Sequence, residues 1–165
     1  MVEMSIYGVS FDLVGKQPIV LLKTAEGNRY LPIWIGHPEA AAILMKLQGA
    51  TAPRPLTHDL LVNILNELDV EVVRVTVTEL RENTFYASIT VLHDGAEIEI
   101  DSRSSDAIAI AVRAQAPIYA ADEVIEESAI EFEGEASEEE IVDEFKKFLD
   151  RVSAEDFAEA EVDEE

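Results

Sequence analysis

The chain has 165 residues, of which 48% are hydrophobic and 28% charged, with a formal net charge of −23 and no cysteine. This composition is typical of one globular domain with a modest appendage, and the lack of cysteine excludes disulfides, thiol catalysis and thiolate metal sites. No apolar run approaches the ~20 residues that span a bilayer, and the N-terminus does not resemble a signal peptide. A cytoplasmic location without membrane contact is therefore expected.

The negative charge is concentrated at the C-terminal end. Residues 126–165 hold 18 acidic and 3 basic side chains, a net −15 of the total −23. The pattern predicts an acidic linker over 126–137, an amphipathic acidic helix over 138–152 and a disordered acidic tail over 153–165. The apolar stripe of that helix would pack on the body, on a second subunit or on a protein partner. Because acidic chains repel phosphate backbones, any action on nucleic acid needs a local cationic patch or bridging metal ions.

The body, residues 1–125, has the pattern of an α+β domain. Hydrophobic alternation and turn residues predict a compact, mixed and largely antiparallel sheet with three packed helices, plus the acidic C-terminal helix. Strands are predicted over 4–13, 18–24, 30–36, 70–80, 84–93 and 96–101, the last three as an antiparallel meander. Helices are predicted over 37–49, 57–68 and 104–115, and residues 116–124 suggest a short strand and a turn.

Two helix starts share an unusual residue pattern. Arg54 precedes Thr57, His58 and Asp59, and the same order recurs where Arg103 precedes Ser104, Ser105 and Asp106. Helix chemistry explains part of this, because a hydroxyl such as Thr57 or Ser104 caps free N–H groups, and a first-turn carboxylate gains roughly 0.3–1 kcal/mol from the helix dipole. An arginine gains nothing from that dipole and needs a carboxylate or a bound anion.

The two starts could therefore form one site or one structural network. If they converge, Arg54 and Arg103 would hold a phosphate while carboxylates hold a divalent ion, and His58 would act as a general acid or base. The alternative is an Arg–Asp network that only joins two helix starts. No zinc, P-loop, dinucleotide or serine-nucleophile motif is present in the sequence.

Four segments of the body resemble the bifunctional nuclease family, a bacterial, archaeal and plant domain also catalogued as of unknown function. They are "YLPIWIGHPEAAAI" (30–43), "PRPLTHDLL" (53–61), "TFYASI" (84–89) and "IDSRSSDAIAIAVRAQAPIY" (100–119). The resemblance runs in order over about residues 4–125. One departure is Ser104, where the family commonly has proline. The resemblance implies a compact α+β fold, an oligomer that is at least dimeric, and action on RNA and DNA.

The first functional hypothesis is a metal-dependent nuclease for single-stranded or unstructured nucleic acid. Its catalytic residues would be His58, Arg54 and Arg103, and its Mg²⁺ or Mn²⁺ ligands would be Asp59, Asp101, Asp106 and Glu39. The second hypothesis is a non-enzymatic module in which the arginines and helix starts bind an anion or a partner's carboxylates, while the acidic C-terminal helix docks on a protein. In a third, the Arg–Asp pairs are purely structural.

Overall fold

A computed structural model describes residues 1–11 and 17–131 of the chain. The strands in these residues are β1 Val2–Phe11, β2 Pro18–Thr24, β3 Arg29–Trp34, β4 Glu71–Arg81, β5 Thr84–His93, β6 Ala96–Arg103, β7 Ile118–Ala120 and β8 Ile130–Glu131. The helices are α1 His37–Leu47, α2 Thr57–Glu67, α3 Ser104–Ala114 and α4 Asp122–Ser128. None of the described helices has the length and apolar character that crossing a membrane requires.

The strands form one mixed sheet in the order β6-β5-β4-β7-β1-β2-β3-β8. Neighbouring strands are antiparallel except β4 and β7, which are parallel and are connected through β5, β6 and α3. The predicted α+β class with a mixed, largely antiparallel sheet is confirmed.

The predicted meander is formed by β4, β5 and β6. Its two connections are two-residue turns, with φ of 50° and 60° at Glu82 and Asn83, and of 50° and 78° at Asp94 and Gly95. Positive φ at both central residues defines a type I′ turn, whose twist matches that of the flanking strands. The register of β5 with β6 ends at Arg103, so the meander delivers this arginine directly to the start of α3.

The core lies where α1 and α3 contact each other and the sheet. Both helices contribute alanines to it, among them Ala40 and Ala107, which are 0% and 1% exposed. Small side chains let helix backbones approach closely, as the alanine run of α1 predicts. Ile108 and Ile110, 0% and 1% exposed, add roughly 1.5–3 kcal/mol each through burial of apolar surface. This packing fixes α3 relative to α1, and with it the positions of their first turns.

The structure corrects the expected caps of α2 and α3. Thr57 and Ser104 are the first residues of these helices rather than their N-caps, which are Leu56 and Arg103, and neither helix has a side-chain cap hydrogen bond. At α2, the Asp59 carboxylate instead accepts the backbone N–H of Leu56 at 3.0 Å. The acid in the first turn therefore satisfies the backbone at the start of α2.

The C-terminal part of the body contains a helix that the acidic composition concealed. The predicted strand is β7, but the predicted turn over 116–124 is wrong, because α4 begins at Asp122. Val124 and Ile125, 1% and 3% exposed, anchor α4 in the core. The predicted domain boundary after residue 125 falls inside this helix. Most of the predicted linker, the helix over 138–152 and the tail lie outside the described residues, so the division of domains stays a prediction.

Candidate active site

The first turns of α1, α2 and α3 meet at one cluster of charged side chains. Arg103, at the start of α3, donates from Nη2 to Glu39 Oε1 of α1 at 3.0 Å. Arg103 also donates from Nε to Asp106 Oδ2 at 3.1 Å, and Asp106 Oδ1 lies 2.9 Å from Nε2 of His58 in α2. The two helix starts that the sequence suggested are therefore in direct contact. We call the chain of contacts Glu39–Arg103–Asp106–His58 the helix-start cluster.

Arg103 is the exposed cation of this cluster. Its side chain is 66% exposed, whereas the side chains of Glu39 and Asp106 are 15% and 31% exposed. Partial burial of Arg103 disfavours its charge, but the attraction of Asp106 and Glu39 outweighs that cost and raises the pKa of the guanidinium. Gly36 leaves room for the Glu39 carboxylate, because a methyl group there would overlap it. Arg103 is thus a permanent positive charge that Glu39 and Asp106 hold in place and that remains exposed to solvent.

His58 and Asp106 form a dyad beside that cation. The His58 side chain is only 12% exposed, and the two oxygens of Asp106 are engaged separately, one by His58 and the other by Arg103. A carboxylate that accepts one ring N–H of a histidine selects the tautomer whose other nitrogen can accept a proton. The geometry therefore suits proton transfer by His58 next to an anion held by Arg103.

Asp59 faces a different partner from its neighbour His58. Its Oδ1 accepts Nε of Arg113, near the C-terminal end of α3, at 2.7 Å. Arg113 is 6% exposed, and its Nη1 and Nη2 donate to the carbonyls of Ala109 and Ala42 at 2.9 and 3.1 Å. Arg113 therefore joins α1, α2 and α3 through one guanidinium.

Arg113 was not singled out by sequence reasoning, although the signal was present. It follows Asp106 by seven positions, about two helical turns, so both residues lie on one face of α3. The intervening residues from Ala107 to Ala111 are all buried. A charged residue in the last turn of so apolar a helix needs buried partners, and a carboxylate near another helix start is the natural one.

The Asp59 carboxylate predicts a specific pH dependence of stability. The hydrogen bond from the Leu56 N–H, followed by that from Arg113, lowers the pKa of Asp59 below its ordinary value of 3.8. A carboxylate whose pKa is lowered by folding stabilises the fold at pH values above its pKa in the unfolded state. That contribution is lost as the pH falls through its pKa in the folded state. We expect Asp59→Asn to reduce the free energy of unfolding by about 1 kcal/mol at pH 7 and by much less near pH 3.

Urea titrations of both proteins at the two pH values measure this difference. Asp94→Asn, at a carboxylate that is 90% exposed, is the matched control and should leave the wild-type pH dependence intact. A loss in Asp59→Asn that is equally large at both pH values would contradict the assigned role.

Besides Asp59, two predicted site residues do not join the cluster. Arg54 is exposed in the segment before α2, and within residues 1–11 and 17–131 no hydrogen bond or ion pair engages it. Asp101 is exposed on β6, two residues before Arg103, paired with Ser88 only through the strand register. Both lie close in sequence to cluster members, and neither side chain is held by the described part of the chain.

The described carboxylates do not fit a preformed divalent metal centre. Across residues 1–11 and 17–131, no three His, Asp or Glu side chains are grouped to hold a metal ion. Asp59 is turned to Arg113, and a guanidinium lies between Glu39 and Asp106. Hard cations need several converging oxygens, whereas here Asp59, Glu39 and Asp106 each have an arginine partner, and Asp101 lies outside the cluster. Asp59, Asp101, Asp106 and Glu39 are therefore not grouped as a metal site in the described residues, and their role as metal ligands stays a prediction.

Residues 20–133 match the family described as "Bifunctional nuclease domain". The chain belongs to this family. The matched range contains the whole helix-start cluster together with Asp59 and Arg113, so the family domain and the site coincide.

Two kinds of relative are similar to the chain. An uncharacterized protein of Mycobacterium tuberculosis is 40% identical over 162 residues, which cover 94% of this chain and 97% of that protein. Bifunctional nuclease 1 of Oryza sativa subsp. japonica and Bifunctional nuclease of Oryza minuta are 28% identical over 103 residues, which cover 60% of this chain and 31% of each rice protein. The likeness to the rice proteins thus concerns less than a third of their length.

Proposed function

We propose that the chain is a nuclease that cleaves phosphodiester bonds of single-stranded or unstructured nucleic acid at the helix-start cluster. The observation that carries the proposal is the 2.9 Å contact between His58 and Asp106 beside the exposed guanidinium of Arg103. Membership of the bifunctional nuclease domain family and the names of the rice relatives support it.

Each member of the cluster has a distinct role in this proposal. Arg103 binds the scissile phosphate, because a guanidinium matches two phosphate oxygens at once and stabilises the charge that develops on them. His58 accepts the proton of the attacking water as its oxygen bonds to phosphorus, and returns a proton as the bond to the leaving oxygen breaks. Asp106 orients the His58 ring, and Glu39 positions Arg103.

Metal dependence stays a prediction. A divalent ion at this site would draw its ligands from substrate phosphate and water together with any of Asp59, Asp101, Asp106 and Glu39 that is released from its present partner. Such an ion supplies charge stabilisation and activates water. Cleavage rates in Mg²⁺, in Mn²⁺ and in EDTA decide this point. Loss of cleavage in EDTA would show that an ion is required, whereas unchanged cleavage would show that Arg103 and His58 act without one.

The test is cleavage of labelled single-stranded RNA and DNA by the full chain. We expect His58→Ala to lower the cleavage rate by about 10²–10⁴-fold, the usual contribution of general acid–base catalysis. His93→Ala is a matched control, because His93 also lies beside an aspartate, Asp94 at 3.3 Å, but at the end of β5 and away from the cluster. Equal rates in wild type and His58→Ala would indicate a contaminating nuclease and end the proposal.

A second candidate function is favoured by the pairing of every cluster carboxylate with an arginine or histidine. Such a network suits a non-enzymatic module that binds an anion at Arg103, or the carboxylates of a partner protein, without cleaving anything. The same oligonucleotides serve to test this module. If the chain binds them, Arg103→Ala weakens that binding, and no cleavage occurs in Mg²⁺, Mn²⁺ or EDTA, the module is favoured over the nuclease.

A further inference from the structure

Helix α2 buries none of its eleven residues. The side chains that approach the rest of the molecule are half-buried, namely His58, Asp59, Val62 and Leu65. The opposite face carries large apolar side chains in solvent, with Leu60, Leu61, Ile64 and Leu68 exposed by 52%, 40%, 45% and 61%. Apolar patches of this kind on a globular protein mark interaction surfaces.

The apolar face of α2 has a repeat that suits pairing with an identical helix. Leu56, Leu60, Ile64 and Leu68 recur at intervals of four and are placed symmetrically about residue 62. If two copies of α2 cross antiparallel on a two-fold axis at residue 62, each leucine or isoleucine meets an apolar residue of the partner. Leu60 then faces Ile64 of the partner subunit, and Leu56 faces Leu68 of the partner subunit. Ridges spaced by four residues pack at about −50°.

The charges at the two ends of α2 complement each other in this arrangement. Arg54, which the described residues leave without an ion pair, precedes the helix, whereas Glu67 and Asp69 close it. Antiparallel pairing brings Arg54 beside Glu67 of the partner subunit and repeats the contact across the axis, as an isologous interface requires. A parallel pair would instead place the acidic ends together.

We propose that α2 is the contact helix of a two-fold homodimer, with Leu60 and Ile64 at its centre and Arg54 facing the acidic end of the partner helix. The inference does not depend on the proposed nuclease function. The helix-start cluster lies on the opposite, inward side of α2, so pairing leaves Arg103 open to substrate.

A second exposed apolar surface provides the matched control. On the edge strand β6, Ile98 and Ile100 are exposed by 46% and 44%. Ile98 therefore matches Ile64 in type and exposure but lies on a different element. The acidic C-terminal segment is a poorer occupant of the α2 face than a second copy, because the C-terminal end of α2 is itself acidic.

The first experiment measures the mass of the full 18.2 kDa chain by sedimentation over a range of concentrations. We expect a dimer for wild type and for Ile98→Arg, and a dissociation constant raised at least ~100-fold in Ile64→Arg, as for a charge placed in a hot spot. Arg54→Glu should weaken the dimer, and Arg54→Glu combined with Glu67→Arg should restore it. A monomeric wild type, or a dimer that only Ile98→Arg disrupts, would overturn the proposal.

The second experiment fixes the orientation of the pair, and it uses the absence of cysteine from the chain. Position 61 lies about 3 Å along the axis from its own copy in the antiparallel pair, whereas position 68 lies about 18 Å away. Because packed helix axes lie about 8–10 Å apart, a short thiol-specific cross-linker that spans this distance is used. We expect it to join Leu61→Cys to its copy and to leave Leu68→Cys unjoined. Cross-linking of Leu68→Cys as efficient as that of Leu61→Cys would contradict antiparallel pairing, whatever the nuclease assays give.

Discussion

Arg103→Ala is expected to lower kcat/KM for single-stranded nucleic acid by about 10²–10³-fold, the usual cost of removing a donor that stabilises developing negative charge. The guanidinium of Arg103 is the exposed cation of the helix-start cluster, with Glu39 and Asp106 fixing two of its edges. Its removal also leaves those two carboxylates without the charge that separates them. Rates of cleavage at substrate concentrations well below KM measure the effect.

Two further variants show whether the guanidinium itself is required. Arg103→Lys keeps the charge but loses the planar fork that binds two oxygens, so its rate should lie between those of wild type and Arg103→Ala. Arg81→Ala removes an arginine of similar exposure, paired with Glu79 at 3.8 Å, and should leave cleavage unchanged. Wild-type kcat/KM in Arg103→Ala would show that the phosphate binds elsewhere.

Arg113→Met is expected to lower the free energy of unfolding by about 3 kcal/mol, because it leaves Asp59 without its ion partner and removes the hydrogen bonds to the carbonyls of Ala109 and Ala42. The side chain of Arg113 is 6% exposed and binds Asp59, the Ala42 carbonyl and the Ala109 carbonyl. Methionine retains much of the apolar stem, so the loss of unfolding free energy measures the contribution of the guanidinium. Urea or guanidinium titration at pH 7 measures it.

Arg74→Met is the matched control for that experiment. Arg74 also makes two hydrogen bonds to a carboxylate, Glu97 at 3.2 and 3.4 Å, but between strands at the surface. Solvent screening limits such a pair to about 1 kcal/mol or less. If Arg113→Met costs no more than Arg74→Met, Arg113 does not join the three helices as described.

The sequence carries enough information to predict the sheet, and it raises a shared site at two helix starts as a hypothesis. The strands of the meander alternate in hydrophobicity, and turn residues such as Asn83 and Gly95 tolerate the positive φ that tight turns need. The repeated order of arginine, hydroxyl and aspartate indicates that each arginine needs an acidic partner or a bound anion, but it does not decide whether the two helix starts converge.

Other features depend on angles that a sequence pattern does not show. His58 and Asp59 are adjacent, and neighbouring residues differ by about 100° around a helix. They therefore cannot face one point, and Asp59 turns to Arg113 instead of joining Asp106. Similarly, the apolar stripe of α2 predicts a face that packs against another element, but the stripe does not show that the rest of this chain leaves that face exposed. The helix α4 was concealed because two buried residues, Val124 and Ile125, suffice to anchor it within an acidic stretch.

A double-mutant cycle between His58 and Asp106 tests most directly the central claim that these helix starts form one catalytic site. The cleavage rate is measured for wild type, His58→Ala, Asp106→Asn and the double variant, with His93→Ala as the control. Because Asp106 orients His58 and also binds Arg103, most of the loss caused by Asp106→Asn should disappear in the His58→Ala background, since residues that act as a unit are not additive. Losses that add in full, or a rate unaffected by either substitution, would contradict a shared site.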